Sequence, residues 1–266
     1  MGPNDRNHDG AALGPSVHVT DEGQRSVYPY TVTGSATFPD ASGQRQRTQM
    51  LHTTYLYLST AVAAAMAGAW FGAHSDAYLT MVIKGGWFFF IAMFFVLNMV
   101  PALALRVAEN APRFAIPALA LQGLISGLAL APLVFVGLVM SNQDPENSSN
   151  LVSTAVVVTG SIFAAITAYV HLNKTQFNAS RAVIWGLFGF ALIAMPINLM
   201  LQSSVFSMVI SLIIGVLGAV QLVSATSTIV NNPNFNSPAA GALMLFAGLF
   251  NMFQAILHLL IGGSRD

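Results

Sequence analysis

The sequence predicts an all-α integral membrane protein: a bundle of seven transmembrane helices behind a polar, largely disordered N-terminal arm. Three observations carry this. Only 20 of the 266 residues are formally charged, ten basic and ten acidic, and at 8% they fall far short of the roughly 25% of a soluble domain. Hydrophobic residues make up 55% of the chain. The charges are also unevenly placed: residues 1–50 hold nine, Arg265 and Asp266 end the chain, and Ala182–Ser264 has none. A charge-free run that long must be several spans joined by short neutral turns.

The same numbers exclude whole classes. So few charges cannot cover a water-soluble surface. A nucleic-acid binder needs a basic surface to neutralise phosphates. With no Cys there is no disulfide, thiolate chemistry or Cys-based metal site.

Residues 1–50 are rich in Gly, Ser, Pro and Asp, with no sustained apolar period, and read as a water-facing arm. They lack the apolar run of a cleaved signal peptide. Residues 51–266 form the membrane domain. About 20 apolar residues at 1.5 Å rise cross a hydrocarbon core of about 30 Å. Seven stretches qualify, at about 51–73, 81–105, 114–140, 151–172, 182–201, 205–223 and 239–261. Only Gln202-Ser203-Ser204 separates the fifth from the sixth, so a tight hairpin is expected there.

Short-loop Lys and Arg set orientation. Arg45 and Arg47 precede span one, Arg106 and Arg113 follow span two, and Lys174 and Arg181 follow span four. These share one side. The expectation is an amino terminus in the cytoplasm and a carboxyl terminus outside.

Small residues recur at helical spacing. Gly68 and Gly72 form one G-x-x-x-G and Gly123 and Gly127 another. Such spacing lets backbones approach closely in lipid. It serves either internal packing, the simpler reading, or dimerisation. Pro101, Pro117, Pro132 and Pro196 lie within or at the ends of spans.

No Asp or Glu lies inside a predicted span. Carboxylates in a membrane usually mark ion paths or proton relays, so carboxylate-driven transport lacks its hardware. Neutral polarity remains. Asn251, Gln254 and His258 fall at i, i+3 and i+7 of span seven, with Gly248 one turn earlier; Gln221 and Ser224 lie in span six, and Asn98, Gln122 and Asn198 in spans two, three and five. Left facing lipid these groups would lack partners, so they are expected to face inward. They form either a polar seam lining a cavity or path, or interhelical hydrogen bonds. His52 and His171 sit near the cytoplasmic ends of spans one and four. With no H-x-x-x-H or H-E-x-x-H spacing and no nearby carboxylate, no metal site is expected. No G-x-S-x-G, buried acid or glycine-rich phosphate loop proposes a hydrolase or nucleotide site, and no cofactor is implied.

The order of segments resembles the Bax inhibitor-1 family, the transmembrane Bax-inhibitor-motif proteins, from about Tyr55 to Ile261. The resemblance rests on Thr54-Tyr55-Leu56, the run from Gly123 through Gly127 to Pro132, Lys174-Thr-Gln-Phe177, Trp185-Gly186-Leu187-Phe188, and Ala242 through Gly248 to Asn251-Met-Phe253. It implies a seven-helix bundle with the last helix near the centre. It also implies either a pH-sensitive calcium leak or the regulation of partners, in bacteria a membrane-bound protease. The family's leak is attributed to two Asp residues, one in a Tyr-Asp-Thr sequence of the sixth helix and one three residues before the Asn of the seventh. The matching positions here are Ala225, within Ser224-Ala225-Thr226, and Gly248. Calcium prefers several oxygen ligands with carboxylate charge, and paired acids supply pH gating. Neither position can do this.

The expectation is therefore a non-enzymatic, multi-pass protein of a bacterial inner membrane. It would regulate or stabilise a membrane-protein partner, a protease or another complex. The alternative is a degenerate, carboxylate-free cation leak through Gln221, Asn251, Gln254 and His258.

Overall fold

The structure, a computed structural model, describes residues 41–143, 150–173, 177, 186, 189–190, 194 and 203–264. Six long helices account for most of them: α1 (Ala41–Ala73), α2 (Asp76–Asn110), α3 (Ala115–Gln143), α4 (Leu151–Asn173), α5 (Ser204–Asn231) and α6 (Pro238–Gly263). A 3₁₀ turn, Pro112–Phe114, joins α2 to α3. All six helices contain a stretch long and apolar enough to cross a bilayer, so the chain is an all-α, multi-pass membrane protein. Spans one to four match α1–α4, and spans six and seven match α5 and α6. The predicted fifth span, 182–201, lies mostly outside the described residues, as do the first forty residues of the arm.

Several helices depart from expectation, with α2 beginning at Asp76 and α5 running on to Asn231. Helix α1 starts at Ala41, so the last ten residues assigned to the arm are helical. Gln44-Arg45-Gln46-Arg47 are good helix formers, and they extend a helix that the apolar span already nucleates. The Arg47 guanidinium donates to the carbonyl oxygen of Val230 in the last turn of α5, where the helix dipole favours a cation. Helix α2 is broken rather than continuous: Gly86 has φ 46° and ψ −129°. That backbone region is essentially closed to side chains with a Cβ.

Helix starts follow their caps. The hydroxyls of Ser75, Ser203 and Ser237 accept from the backbone N–H of Tyr78, Phe206 and Ala240, satisfying orphan donors of the first turn. Pro238 follows Ser237 at the first position of α6, where a missing N–H costs nothing. The Ser237 hydroxyl also donates to Glu109 Oε1 at 2.9 Å, tying the start of α6 to the end of α2.

Helices α1 and α3 run parallel and nearly touch. A Cβ on Gly123 would overlap the carbonyl oxygen of Ala61, and one on Gly127 that of Ala65. A Cβ on Gly68 would overlap the Leu124 carbonyl, and one on Gly72 would lie 2.5 Å from Ala131 Cβ. Each G-x-x-x-G motif therefore packs against the facing helix within one chain. Tyr78 adds a strut from α2, its hydroxyl donating to the Leu128 carbonyl at 2.7 Å.

Helices α5 and α6 run antiparallel in a register that repeats every seven residues. Met208, Gly215, Leu222 and Ile229 of α5 meet Gly262, Ala255, Gly248 and Gly241 of α6. A seven-residue period keeps one seam in register along a helix pair. The starts of α4 and α5 both lie at the carboxyl end of α6. Val152 shares Gly137 with Leu257 and Ile261, and Ser207 and Ser211 meet His258. Thus α4 and α5 are parallel: the chain leaves α4 at one end of the bundle and enters α5 at the other. The main core gathers Leu58 and Ala61 of α1, Leu222, Ala225 and Ile229 of α5, and Ala242, Leu245, Phe246 and Met252 of α6. The outer face of α2 exposes Ile83, Phe88, Phe95 and Met99, as suits contact with lipid.

Candidate functional site

The seam between α5 and α6 gathers three of the polar residues singled out from the sequence, Gln221, Asn251 and His258. Asn251 Nδ2 donates to Gln221 Oε1 at 2.8 Å. Two turns further along α6, His258 lies between two serines of α5. Its Nδ1 is 2.9 Å from Ser211 Oγ, and its Nε2 is 3.2 Å from Ser207 Oγ. The Ser211 hydroxyl donates to the Ser207 carbonyl. Its oxygen is then an acceptor, so in the neutral imidazole the proton resides on Nδ1. Nε2 is left to accept from the Ser207 hydroxyl. Gln254 is half-buried one turn from Asn251.

The two positions that resemblance assigns to carboxylates are packed. Ala225 is 1% exposed and sits in the main core. A Cβ added to Gly248 would lie 2.7 Å from Leu222 Cγ and 3.0 Å from the Leu222 backbone nitrogen. On the opposite helix, a Cβ on Gly218 would meet the Met252 nitrogen at 2.8 Å and the Gly248 oxygen at 2.9 Å. Gly248 therefore does more than lack an acid: its missing side chain is the slot that Leu222 fills.

The other polar span residues do not join this seam. Asn98 was expected to face inward. It is exposed, and its Nδ2 donates to the Phe94 carbonyl of its own helix at 2.7 Å, a local bond that removes the need for an interhelical partner. Gln122 is buried on α3 and donates to Ser126 at 3.2 Å, while its Oε1 has no partner. Ser224 is half-buried, and its carbonyl accepts from the Thr228 hydroxyl. Asn198 lies outside the described residues. His52 and His171 are exposed; His171 Nδ1 faces the carbonyl of Thr167 on its own helix.

Sequence reasoning missed Ser207 and Ser211. Their signal was present: two serines four residues apart at the start of span six, in the span that folds back along His258. It also missed the seven-residue series Gly241, Gly248, Ala255 and Gly262.

The sequence profile of the family described as "Inhibitor of apoptosis-promoting Bax1" matches residues 47–266. The chain belongs to the Bax inhibitor family. A curated relative, the uncharacterized Campylobacter jejuni protein Cj0236c, is 24% identical over 135 residues, 51% of this chain and 56% of that protein. The chain thus covers little more than half of that relative's length. No solved structure matches. Within this Bax inhibitor family protein, the matched region takes in all of α2–α6 and most of α1, including both glycine-lined interfaces.

Proposed function

We propose that this Bax inhibitor family protein is a non-enzymatic regulator or stabilising partner of a membrane-protein complex. We place it in a bacterial inner membrane with its amino terminus cytoplasmic and its carboxyl terminus outside. The observation that carries the reading is the seam's closure: Leu222 occupies the space at Gly248, and Ala225 is core. A calcium path needs oxygen ligands and negative charge, and this seam offers apolar contact at both positions. Asn251 and His258 are engaged by side chains of α5, which suits helix-to-helix bonding better than ion coordination. The Lys and Arg bias of the short loops supports the orientation.

The contact of Ser207 with His258 brings a hydroxyl and a base within reach of each other. In a serine hydrolase the third group is an acid that stabilises the imidazolium. Here the described partner of Nδ1 is the Ser211 hydroxyl, which carries no charge, and this supports the non-enzymatic reading. Covalent labelling of Ser207 by a fluorophosphonate, lost in His258→Gln, would reverse it. The main test is affinity capture of the full chain from crosslinked native membranes. The expected result is a membrane protein captured in fixed ratio and released by no ionic wash. Capture of the chain alone counts against the proposal.

A further inference from the structure

A crevice of about 770 Å³ is walled by α1, α3, α4 and α6, within the size range of small-molecule sites. Its lining is almost wholly apolar. Among the described residues that line it there is no Lys, Arg, Asp or Glu, and its titratable members are Tyr55 and His74.

One lining residue breaks the pattern. Thr159 of α4 is 5% exposed, and its hydroxyl has no hydrogen-bond partner. Other helical hydroxyls here, those of Thr53, Thr60, Ser161 and Thr228, bond to the carbonyl four residues back. A buried hydroxyl left without an acceptor is costly, so a group entering the crevice with an acceptor oxygen has something to gain.

The depth of Thr159 follows from its neighbours. Gly137 of α3 lies against Val152 of α4, and the Leu151 N–H donates to Ser141 Oγ at 3.0 Å, so α3 and α4 are antiparallel. Seven residues beyond Val152, Thr159 is level with Leu130. Gly72 lies against Ala131, which puts Trp70 at the same level. Helix α1 ends three residues later, with His74 and Asp76 following. Measured along α1, Thr159 thus lies a few residues below the helix end, within reach of a lipid ester; α3 and α4 continue beyond that level. Trp70 is 65% exposed, and its indole lies over the His74 ring with centroids 4.8 Å apart, as suits an aromatic at the interface. From Trp70 the crevice runs down to Tyr55, fifteen residues or about 22 Å of helix, beyond one leaflet of a core about 30 Å thick.

We propose that this crevice binds one acyl chain of a bilayer phospholipid. The ester carbonyl accepts the Thr159 hydroxyl, and the headgroup lies beside Trp70 and His74. A free fatty acid would bring a carboxylate with no Lys or Arg in the lining to meet it, whereas a phospholipid presents a neutral ester there and keeps its charge in water. The walls suit substitution: a Cβ on Gly160, which lines the crevice, would meet no atom within 4 Å.

The test is native mass spectrometry of the full chain, reconstituted in palmitoyl-oleoyl-phosphatidylethanolamine vesicles and re-extracted in mild detergent. One phospholipid per chain is expected to remain on the wild type. Gly160→Phe and Val156→Trp fill the crevice and should each cut retention by about tenfold, equivalent to about 1.4 kcal/mol. Thr159→Val should cut it several-fold while leaving the melting temperature of the delipidated protein equal or higher, because an unpartnered hydroxyl has gone. A wild type that retains no lipid, or folded crevice variants that retain as much as the wild type, overturns the proposal. Should both larger substitutions prevent folding, unchanged retention by Thr159→Val overturns it alone. Oleate retained as well as the phospholipid overturns the assignment of an ester-bearing occupant.

Discussion

Two helix pairs hold this bundle together by different means. In α1 and α3, parallel backbones meet at four-residue spacing: Gly123 and Gly127 sit on the carbonyls of Ala61 and Ala65. In α5 and α6, antiparallel helices meet at seven-residue spacing: small residues of α6 receive Met208, Leu222 and Ile229, and polar pairs lie beside them. Lipid tails are as apolar as Leu, so neither pair can rely on the hydrophobic effect alone. The first gains from van der Waals contact between backbones, which nothing larger than hydrogen can interrupt. The second gains from side chains fitted into slots, and its slots can be refilled. The first pair is therefore the rigid frame. The second is where a family can gain or lose a functional group without losing the fold.

The comparison predicts its own breaking points. The largest effect is expected for Gly127→Leu, whose Cβ would have to displace the Ala65 carbonyl, a backbone group that cannot step aside. A loss of about 3 kcal/mol or more should appear as aggregation, or as a collapsed melting temperature by size-exclusion and thermal unfolding in detergent. Wild-type stability in this variant would dissolve the distinction between the two pairs.

Gly248→Asp comes next. It forces Leu222 aside and buries a carboxylate without a partner, at a cost of about 3 kcal/mol. Here the obstacle is largely a side chain, so Leu222→Ala in the same protein should recover a large part of the loss. No recovery would mean that the backbone, not the slot, is limiting.

Smaller effects test the polar pairs. Ser211→Ala leaves His258 Nδ1 without its hydroxyl acceptor and should cost about 1–2 kcal/mol. The smallest expected effect is the coupling in a double-mutant cycle of Asn251→Leu and Gln221→Leu, about 0.6 kcal/mol. A coupling indistinguishable from zero would mean that the bond at 2.8 Å contributes only geometry.

The fold was legible because length and hydropathy act along the chain. Helices α3, α4, α5 and α6 begin within about one residue of their predicted starts, since apolar runs bounded by polar turns leave little choice in lipid. The break at Gly86 was not legible: Gly85-Gly86 reads like any small pair, and only the backbone angle distinguishes it. Asn98 was misplaced because the sequence does not reveal that a side chain can satisfy itself on its own helix. The seam was half legible. The i, i+3, i+7 spacing put Asn251, Gln254 and His258 on one face, but their partners depend on the register of α5, which a single helix does not encode. The same holds for Gly248. Its lost carboxylate is read by resemblance, whereas the slot it forms for Leu222 needs both helices.

The central claim is that the α5–α6 seam is closed at the positions where resemblance places acids. Calcium flux into dye-loaded liposomes, measured over acidic to alkaline pH, tests it most directly. The account predicts that wild-type flux equals that of protein-free liposomes, and that any pH-dependent flux appears only in Ala225→Asp/Gly248→Asp/Leu222→Ala, where acids and space are both supplied. Wild-type flux above that background, abolished by Asn251→Leu or His258→Leu, would contradict it and make the polar seam a path.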